Sequence, residues 1–304
     1  MFAPPTRLPT RVFARLPASL NGADETNDWV AGQPLGTHAG SLLEGPAFDR
    51  DGNFWCVDVQ NGRIFTVSRE GAFRLAAQYD GWPNGLKIHR DGRVFIADHK
   101  HGIMLLDPAT GKVTPWLERY NVERFKGVND LCIAANGDLY FTDQGLTGLH
   151  DPTGRVFRVR SNGEITCLLD NVPSPNGLVL NPDETALFVA ATRGNCIWHV
   201  PFLRNGGVGK VGLFVQLSGA GGPDGLALDE EGRLVVAHVR LGCAWVFDRF
   251  GEPVYRIDSC AGRMITNLAY GWPDRSTLYI TESESGCILT ADLDVPGKLM
   301  DPHR

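Results

Sequence analysis

Six segments of the chain open on a side chain that carries oxygen, followed by a small or polar residue and then an apolar run. They are Glu44-Gly45-Pro46-Ala47-Phe48, Asn84-Gly85-Leu86-Lys87-Ile88, Asn129-Asp130-Leu131-Cys132-Ile133, Asn176-Gly177-Leu178-Val179-Leu180, Asp224-Gly225-Leu226-Ala227-Leu228 and Thr266-Asn267-Leu268-Ala269-Tyr270. The lead residues lie 40, 45, 47, 48 and 42 positions apart. Two leads are carboxylates and three are amides. Brought together, they offer hard oxygen donors with a formal charge of −2, a set that suits one divalent cation: Ca2+ first, with Mg2+, Mn2+ or Zn2+ as alternatives. A single Asn-Gly or Asp-Gly needs no function, because both are ordinary turn formers. A polar lead in every register, acidic in two that are not adjacent, points instead to a shared site.

The elements that must position these leads follow from the period, which is close to the roughly 40 to 50 residues of a four-stranded propeller blade. The fifth unit shows the blade most clearly. Leu226 to Leu228, Leu234 to His238, Cys243 to Phe247 and Val254 to Ile257 read as strands, separated by turns at Glu231-Gly232, Leu241-Gly242 and Phe250-Gly251. Equivalent hairpin signals stand at Asp51-Gly52, Asp91-Gly92 and Asn136-Gly137, where Asp-Gly or Asn-Gly joins alternating runs. No segment sustains a helical period. The expected fold is all-β, a six-bladed β-propeller of four-stranded antiparallel blades with one central metal site. In that fold the inner strands line a channel, so the six leads converge on its axis, where facing polar groups cost desolvation unless something binds them.

The expected organisation is a single domain over residues 1–304. The sixth unit ends after Cys287 to Leu293 with three strands, while Val12 to Leu16 belongs to no unit. Pairing that strand near 12–16 with the last blade closes the ring and covers an edge prone to aggregation. Residues 21–43 are then a long crossing loop.

Composition narrows the function. Hydrophobic residues at 43% suffice for a large core, and a net charge of −6 without a basic run argues against nucleic acid as a partner. No apolar stretch approaches the ~18 residues of a membrane helix. The opening Met1-Phe2-Ala3-Pro4-Pro5 lacks the apolar region of a secretion signal. The expectation is a cytoplasmic protein with a small-molecule partner. Seven cysteines without a CxxC pair indicate neither a disulfide framework nor structural zinc. Cys196, Cys243 and Cys287 recur at one point of three units and read as small buried residues. No GxSxG motif supplies a serine nucleophile.

Further stretches recur in order: Asn61-Gly62-Arg63-Ile64, Arg124-Phe125, Tyr140-Phe141-Thr142-Asp143, Asn181-Pro182-Asp183, Pro223-Asp224-Gly225-Leu226 and Leu278-Tyr279-Ile280-Thr281. Together with the leads at Glu44, Asn129, Asn176, Asp224 and Thr266 they make the chain resemble, from Glu44 to Glu282, the family of gluconolactonases, senescence marker protein (regucalcin) and luciferin-regenerating enzyme. That resemblance implies a metal-dependent lactonase that opens a sugar lactone or similar small cyclic ester. It implies Glu44, Asn129, Asn176 and Asp224 as metal ligands, with Asp224 also the catalytic general base, and Arg124 as a substrate contact. Asn84, a lead outside that ligand set, is expected to bind substrate. His99 and His238, 15 and 14 residues beyond their leads, are expected at the same mouth. Two departures from the family pattern, Lys126-Gly127-Val128 after Phe125 and Gln144 after Asp143, fall in expected mouth loops, where specificity is usually set. They point to a best substrate other than glucono-lactone. Two rival functions share the fold: phosphotriester hydrolysis, because diisopropyl fluorophosphatase resembles this family, and a non-enzymatic metal-binding or protein-binding propeller.

Overall fold

The computed structural model describes residues 3–22, 27–34 and 40–303, and in it the chain is a six-bladed β-propeller. The inner strands of blades 1 to 6 are Leu43–Phe48, Pro83–Ile88, Val128–Ile133, Pro175–Leu180, Gly222–Leu228 and Ile265–Tyr270. Each packs on the inner strand of the next blade, and the sixth packs on the first. Within a blade the strands run antiparallel outward from the channel.

Blade-on-blade stacking buries both faces of the middle strands, which explains why Phe54–Asp58 and Ala186–Ala191 are buried at every position. Val57 and Ile64 of blade 1 meet Leu86 and Ile96 of blade 2 in one apolar cluster. At the seam between blades 6 and 1, Ala14 and Leu16 join Phe48, Phe54, Phe65 and Ile288. Those first two residues come from the N-terminal strand Arg11–Arg15 and the residue after it. That strand lies antiparallel to Cys287–Asp292, the third strand of blade 6, in the register Arg11↔Thr290 and Arg15↔Cys287.

One blade gains a strand outside the sequence pattern. Thr6–Pro9 adds in parallel to Pro253–Asp258, the outer strand of blade 5, with Leu8 opposite Ile257, so this blade has five strands. Four residues ending in proline carry little alternation, and proline is tolerated at a sheet edge because no ladder hydrogen bond is lost there. In the crossing loop, residues 23–26 and 35–39 lie outside the described residues. Asp28–Ala31 forms one helical turn, with the Asn27 side chain accepting the Trp29 N–H at 2.8 Å. No helix among the described residues is long and apolar enough to cross a membrane.

The end of the chain straps the channel base. Lys298 Nζ donates to the carbonyls of Leu180 (3.2 Å) and Asn181 (3.0 Å). Asp301 accepts Arg90 Nη2 at 2.6 Å, and the His303 ring stacks on Trp272 at 4.0 Å. One strap thus ties blades 2, 4 and 6.

All seven cysteines are free. Cys196, Cys243 and Cys287 each begin the third strand of a blade and are buried. Burial pushes the Cys132 thiol up to about 12 and that of Cys243 to about 11; only Cys260 is exposed. Thiol titration without reductant is therefore expected to count seven in denaturant but one fast-reacting group in the native protein. Five or fewer in denaturant would mean that a disulfide exists.

Candidate active site

A cavity of about 1430 Å³ opens on the channel axis, and Glu44, Asn84, Asn129, Asn176, Asp224 and Thr266 all line it. All six are buried. Their convergence has a local cause. In every blade the ladder between the first and second strands slips near the lead residue, between Glu44 and Ala47 in blade 1 and between Pro223 and Leu226 in blade 5. Such irregularities re-aim a side chain that regular pleating would bury between sheets.

The residue after each lead sits where the inner strands come closest. A Cβ on Gly45 would lie 2.7 Å from the Asn84 carbonyl oxygen, and one on Gly177 2.5 Å from that of Asp224, so only glycine fits. In blades 3 and 6 this position holds Asp130 and Asn267 instead, and they meet each other. Asn267 Nδ2 donates to Glu44 Oε2 at 3.0 Å and to Asp130 Oδ2 at 3.3 Å. The Gly45 N–H also donates to Glu44 Oε2, at 3.1 Å. Asp130 and Asn267 are therefore positioning residues for Glu44. Sequence reasoning passed over them, although polar residues in two of six otherwise glycine positions were a visible signal.

Three donors at this floor have unsatisfied oxygens. Asn129 Oδ1, Asn176 Oδ1 and Asp224 Oδ1 are buried without a hydrogen-bond partner, and buried orphan oxygens are costly unless a ligand meets them. The Asn129 amide is held with its oxygen free: its Nδ2 donates to Gln144 Oε1 at 3.1 Å, and Gln144 Nε2 donates to Ser174 Oγ at 3.0 Å. Burial raises the Glu44 carboxyl to about 8, with Asp130 adding repulsion. Burial, then the charges of Glu44 and Asp130, push Asp224 well above the usual carboxylate range, against the pull of Arg193 and Asn176. Two carboxylates and two amide oxygens thus fit a hard divalent cation, which would satisfy the orphans and reverse both shifts. No cluster of three His, Cys, Asp or Glu side chains suited to a metal occurs among the described residues; this donor set is half amide.

Other expected site residues divide. Asn84 lines the cavity, as does His99, whose ring packs edge-on against Trp29 with centroids 5.3 Å apart. Burial lowers the His99 pKa to about 4, so the ring is neutral at pH 7. His238 does not line the cavity. It is fully buried behind the wall, where its Nδ1 accepts the Trp245 indole N–H at 3.2 Å, and Val239 faces the cavity in its place. The one-residue difference in spacing from the lead has put the two histidines on opposite faces. Arg124 also lies outside the lining, exposed on the hairpin Arg119–Tyr120/Glu123–Arg124 and 3.8 Å from Glu118. Its neighbour Phe125 turns inward onto Phe141 and Phe157, which sends Arg124 outward. Lys126 and Gln144, the two departures, both line the cavity.

These features define a class: a six-bladed propeller with a buried oxygen-donor floor beneath an axial cavity open to small molecules. The chain belongs to the SMP-30/Gluconolactonase/LRE-like region family, whose model matches residues 42–284. A gluconolactonase of Zymomonas mobilis is 28% identical over 274 residues, covering 80% of this chain and 76% of its own. A Staphylococcus aureus protein, lactonase drp35, is 30% identical over 230 residues, covering 72% of this chain and 70% of its own. The crystal structure of a calcium-binding protein, regucalcin, from Agrobacterium tumefaciens shares the fold, with a TM-score of 0.78 at 24% identity, covering 98% of this chain and 99% of its own.

Proposed function

We propose that this protein is a metal-dependent lactonase that hydrolyses a sugar lactone at the floor of the axial cavity. The observation that carries the reading is the trio of orphan oxygens on Asn129, Asn176 and Asp224, in a chain of a family that includes gluconolactonase and lactonase relatives. Glu44, Asn129, Asn176 and Asp224 would hold the cation, Ca2+ in the first instance. When bound, such an ion would polarise a lactone carbonyl as a Lewis acid and keep both carboxylates ionised. Asp224 takes a proton from water as the water oxygen bonds to the carbonyl carbon. It returns that proton to the ring oxygen as the ring C–O bond breaks, so the products are a free hydroxyl and a carboxylic acid. Asn84 hydrogen-bonds the substrate. Trp29 and Trp82, with ring centroids 5.6 Å apart, give an apolar wall against which a sugar ring excludes water.

The test is turnover of a panel of lactones and phosphotriesters with and without a chelator. Lactone hydrolysis is expected, lost to chelator by at least about tenfold, or ~1.4 kcal/mol, and restored by added Ca2+, Mg2+, Mn2+ or Zn2+. Phosphotriester turnover without lactone turnover would replace the reading, and calorimetric metal binding with neither would leave a binding propeller.

A further inference from the structure

The cavity rim carries three arginines on neighbouring turns. Arg193 lies in the short 3-10 turn Thr192–Gly194 of blade 4, Arg240 in the turn after the second strand of blade 5, and Arg263 in the loop into blade 6. All three line the cavity and all are exposed. They form a continuous arc. Thr192 Oγ1 donates to the Pro223 carbonyl at 2.8 Å. A Cβ on Gly221 would lie 3.3 Å from Arg240 Cβ, and the Gly242 N–H donates to the Arg263 carbonyl at 3.2 Å. Asp224 stands two residues into the strand that this arc overhangs.

None of the three guanidinium groups has a salt-bridge or hydrogen-bond partner among the described residues. Glu284, the acid beside Arg263, is engaged by the Arg263 backbone N–H at 2.5 Å. Arg7, Arg11, Arg90, Arg160 and Arg275 are each paired with a carboxylate; Arg74, Arg204 and Arg249 are exposed without a salt bridge among the described residues as well but do not line the cavity, so what distinguishes the arc is its place on the cavity rim. In a chain of net charge −6, three adjacent unpaired arginines stand ready for an anion from outside. The two lysines that also line the cavity are engaged elsewhere, Lys100 with Asp80 and Lys126 with the Thr153 carbonyl at 2.8 Å, while Trp29 and Trp82 line another part of it.

We infer that the arc of Arg193, Arg240 and Arg263 binds a carboxylate of the substrate, so that the preferred lactone is an acidic one, a sugar lactone that retains a free carboxylate. The inference rests on the lactonase reading and deepens it. With a divalent cation on Glu44 and Asp224 the floor carries no net formal charge, so the unneutralised positive charge a free carboxylate meets lies on the rim arginines, and the lactone carbonyl points to the floor. A guanidinium pairs with a carboxylate through two parallel hydrogen bonds, which sets the ring's orientation as well as its affinity. The arc thus selects between substrates of one ring chemistry by charge.

The experiment compares kcat/KM for D-glucaro-1,4-lactone, which carries a carboxylate, with that for neutral D-glucono-1,4-lactone, which has the same ring size. It also measures calorimetric binding of D-glucarate and D-gluconate to the metal-loaded protein. The acidic lactone is expected to be preferred by at least about tenfold, or ~1.4 kcal/mol of transition-state binding. The double variant Arg193→Gln/Arg240→Gln and the single variant Arg263→Gln should each lower that ratio, mainly through KM. Arg249→Gln, which removes an exposed arginine lying over the Phe250 ring on the outer edge of blade 5, should not. Raising salt from about 20 mM to about 500 mM should erode the preference, because it shortens the screening length from roughly 20 Å to roughly 4 Å; a merely structural role of the arginines would not produce that dependence. Lactone turnover without acid preference, or a preference untouched by the arginine variants, overturns the inference and leaves the lactonase reading standing. Arginine-dependent glucarate binding without any lactone turnover supports the anion site and removes the lactonase reading. Neither turnover nor glucarate binding overturns both.

Discussion

Asp224→Asn is expected to lower lactone turnover by about a hundredfold or more at saturating metal, since general-base catalysis contributes roughly 10² to 10⁴ in rate. The substitution keeps an oxygen of nearly the same shape, and Glu44, Asn129 and Asn176 still line the floor. Metal binding should therefore weaken without vanishing. The proton acceptor, by contrast, is gone. Measuring kcat across a metal titration separates the two effects. If turnover recovers to near normal once metal is raised, Asp224 is a ligand only and the base lies elsewhere. His99 is then the first candidate, because it lines the cavity and its Nδ1 is buried without a partner; His238 is excluded by its place behind the wall.

The same substitution has a stability signature of predictable sign. The folded-state pKa of Asp224 stands above its ordinary value because of burial and the Glu44 charge. In chelated protein, the folded state therefore holds a proton that the unfolded chain has lost, and stability falls as pH rises through and beyond the ordinary carboxylate value of about 4. Asn carries no such proton. Chelated Asp224→Asn protein should show a shallower fall in melting temperature from pH 5 to pH 8 than chelated wild type, and an equal slope would mean that Asp224 is not the strained group.

The largest effect on stability is expected from deleting residues 1–20. This removes Arg11–Arg15 from the open side of Cys287–Asp292 and Thr6–Pro9 from blade 5. It also strips Ala14 and Leu16 from the seam and takes Phe13 off Tyr279, where the rings meet edge to face at 5.1 Å. A fully buried Leu side chain contributes about 1.5 to 3 kcal/mol, so Leu16, with a smaller share from the half-buried Phe13 and the lost ladder bonds, makes up a large part of the 5 to 15 kcal/mol that roughly spans total stability. The truncated chain should melt at least ~10 °C lower, on the scale of about 2 to 4 °C per kcal/mol for a large domain. It should also associate through the freed edge of blade 6. Unchanged melting with a monomeric elution volume would show that the seam does not depend on this segment.

Much of this protein was legible from its amino acids because the propeller repeats its grammar. The period of the lead residues, the turns at Asp51-Gly52, Asp91-Gly92 and Asn136-Gly137, and the alternation in the fifth unit are local signals that survive without any tertiary contact. They determined the blade number, the strand pattern and the six polar leads that line the channel. Tertiary structure decided what depends on faces and on neighbours. His99 and His238 looked equivalent, yet one residue of offset separates a cavity wall from a buried indole contact. Arg124 lost its place to the inward turn of Phe125, and Thr6–Pro9 found a partner about 250 residues away that no local pattern announces. The Glu44–Asn267–Asp130 network arises only when blade 3 faces blades 6 and 1 across the channel, and the arginine arc only when blades 4, 5 and 6 stand side by side. Periodicity fixes what each strand presents, and ring closure chooses which side chains meet, because residues far apart in the chain share an environment only after the last blade has packed on the first.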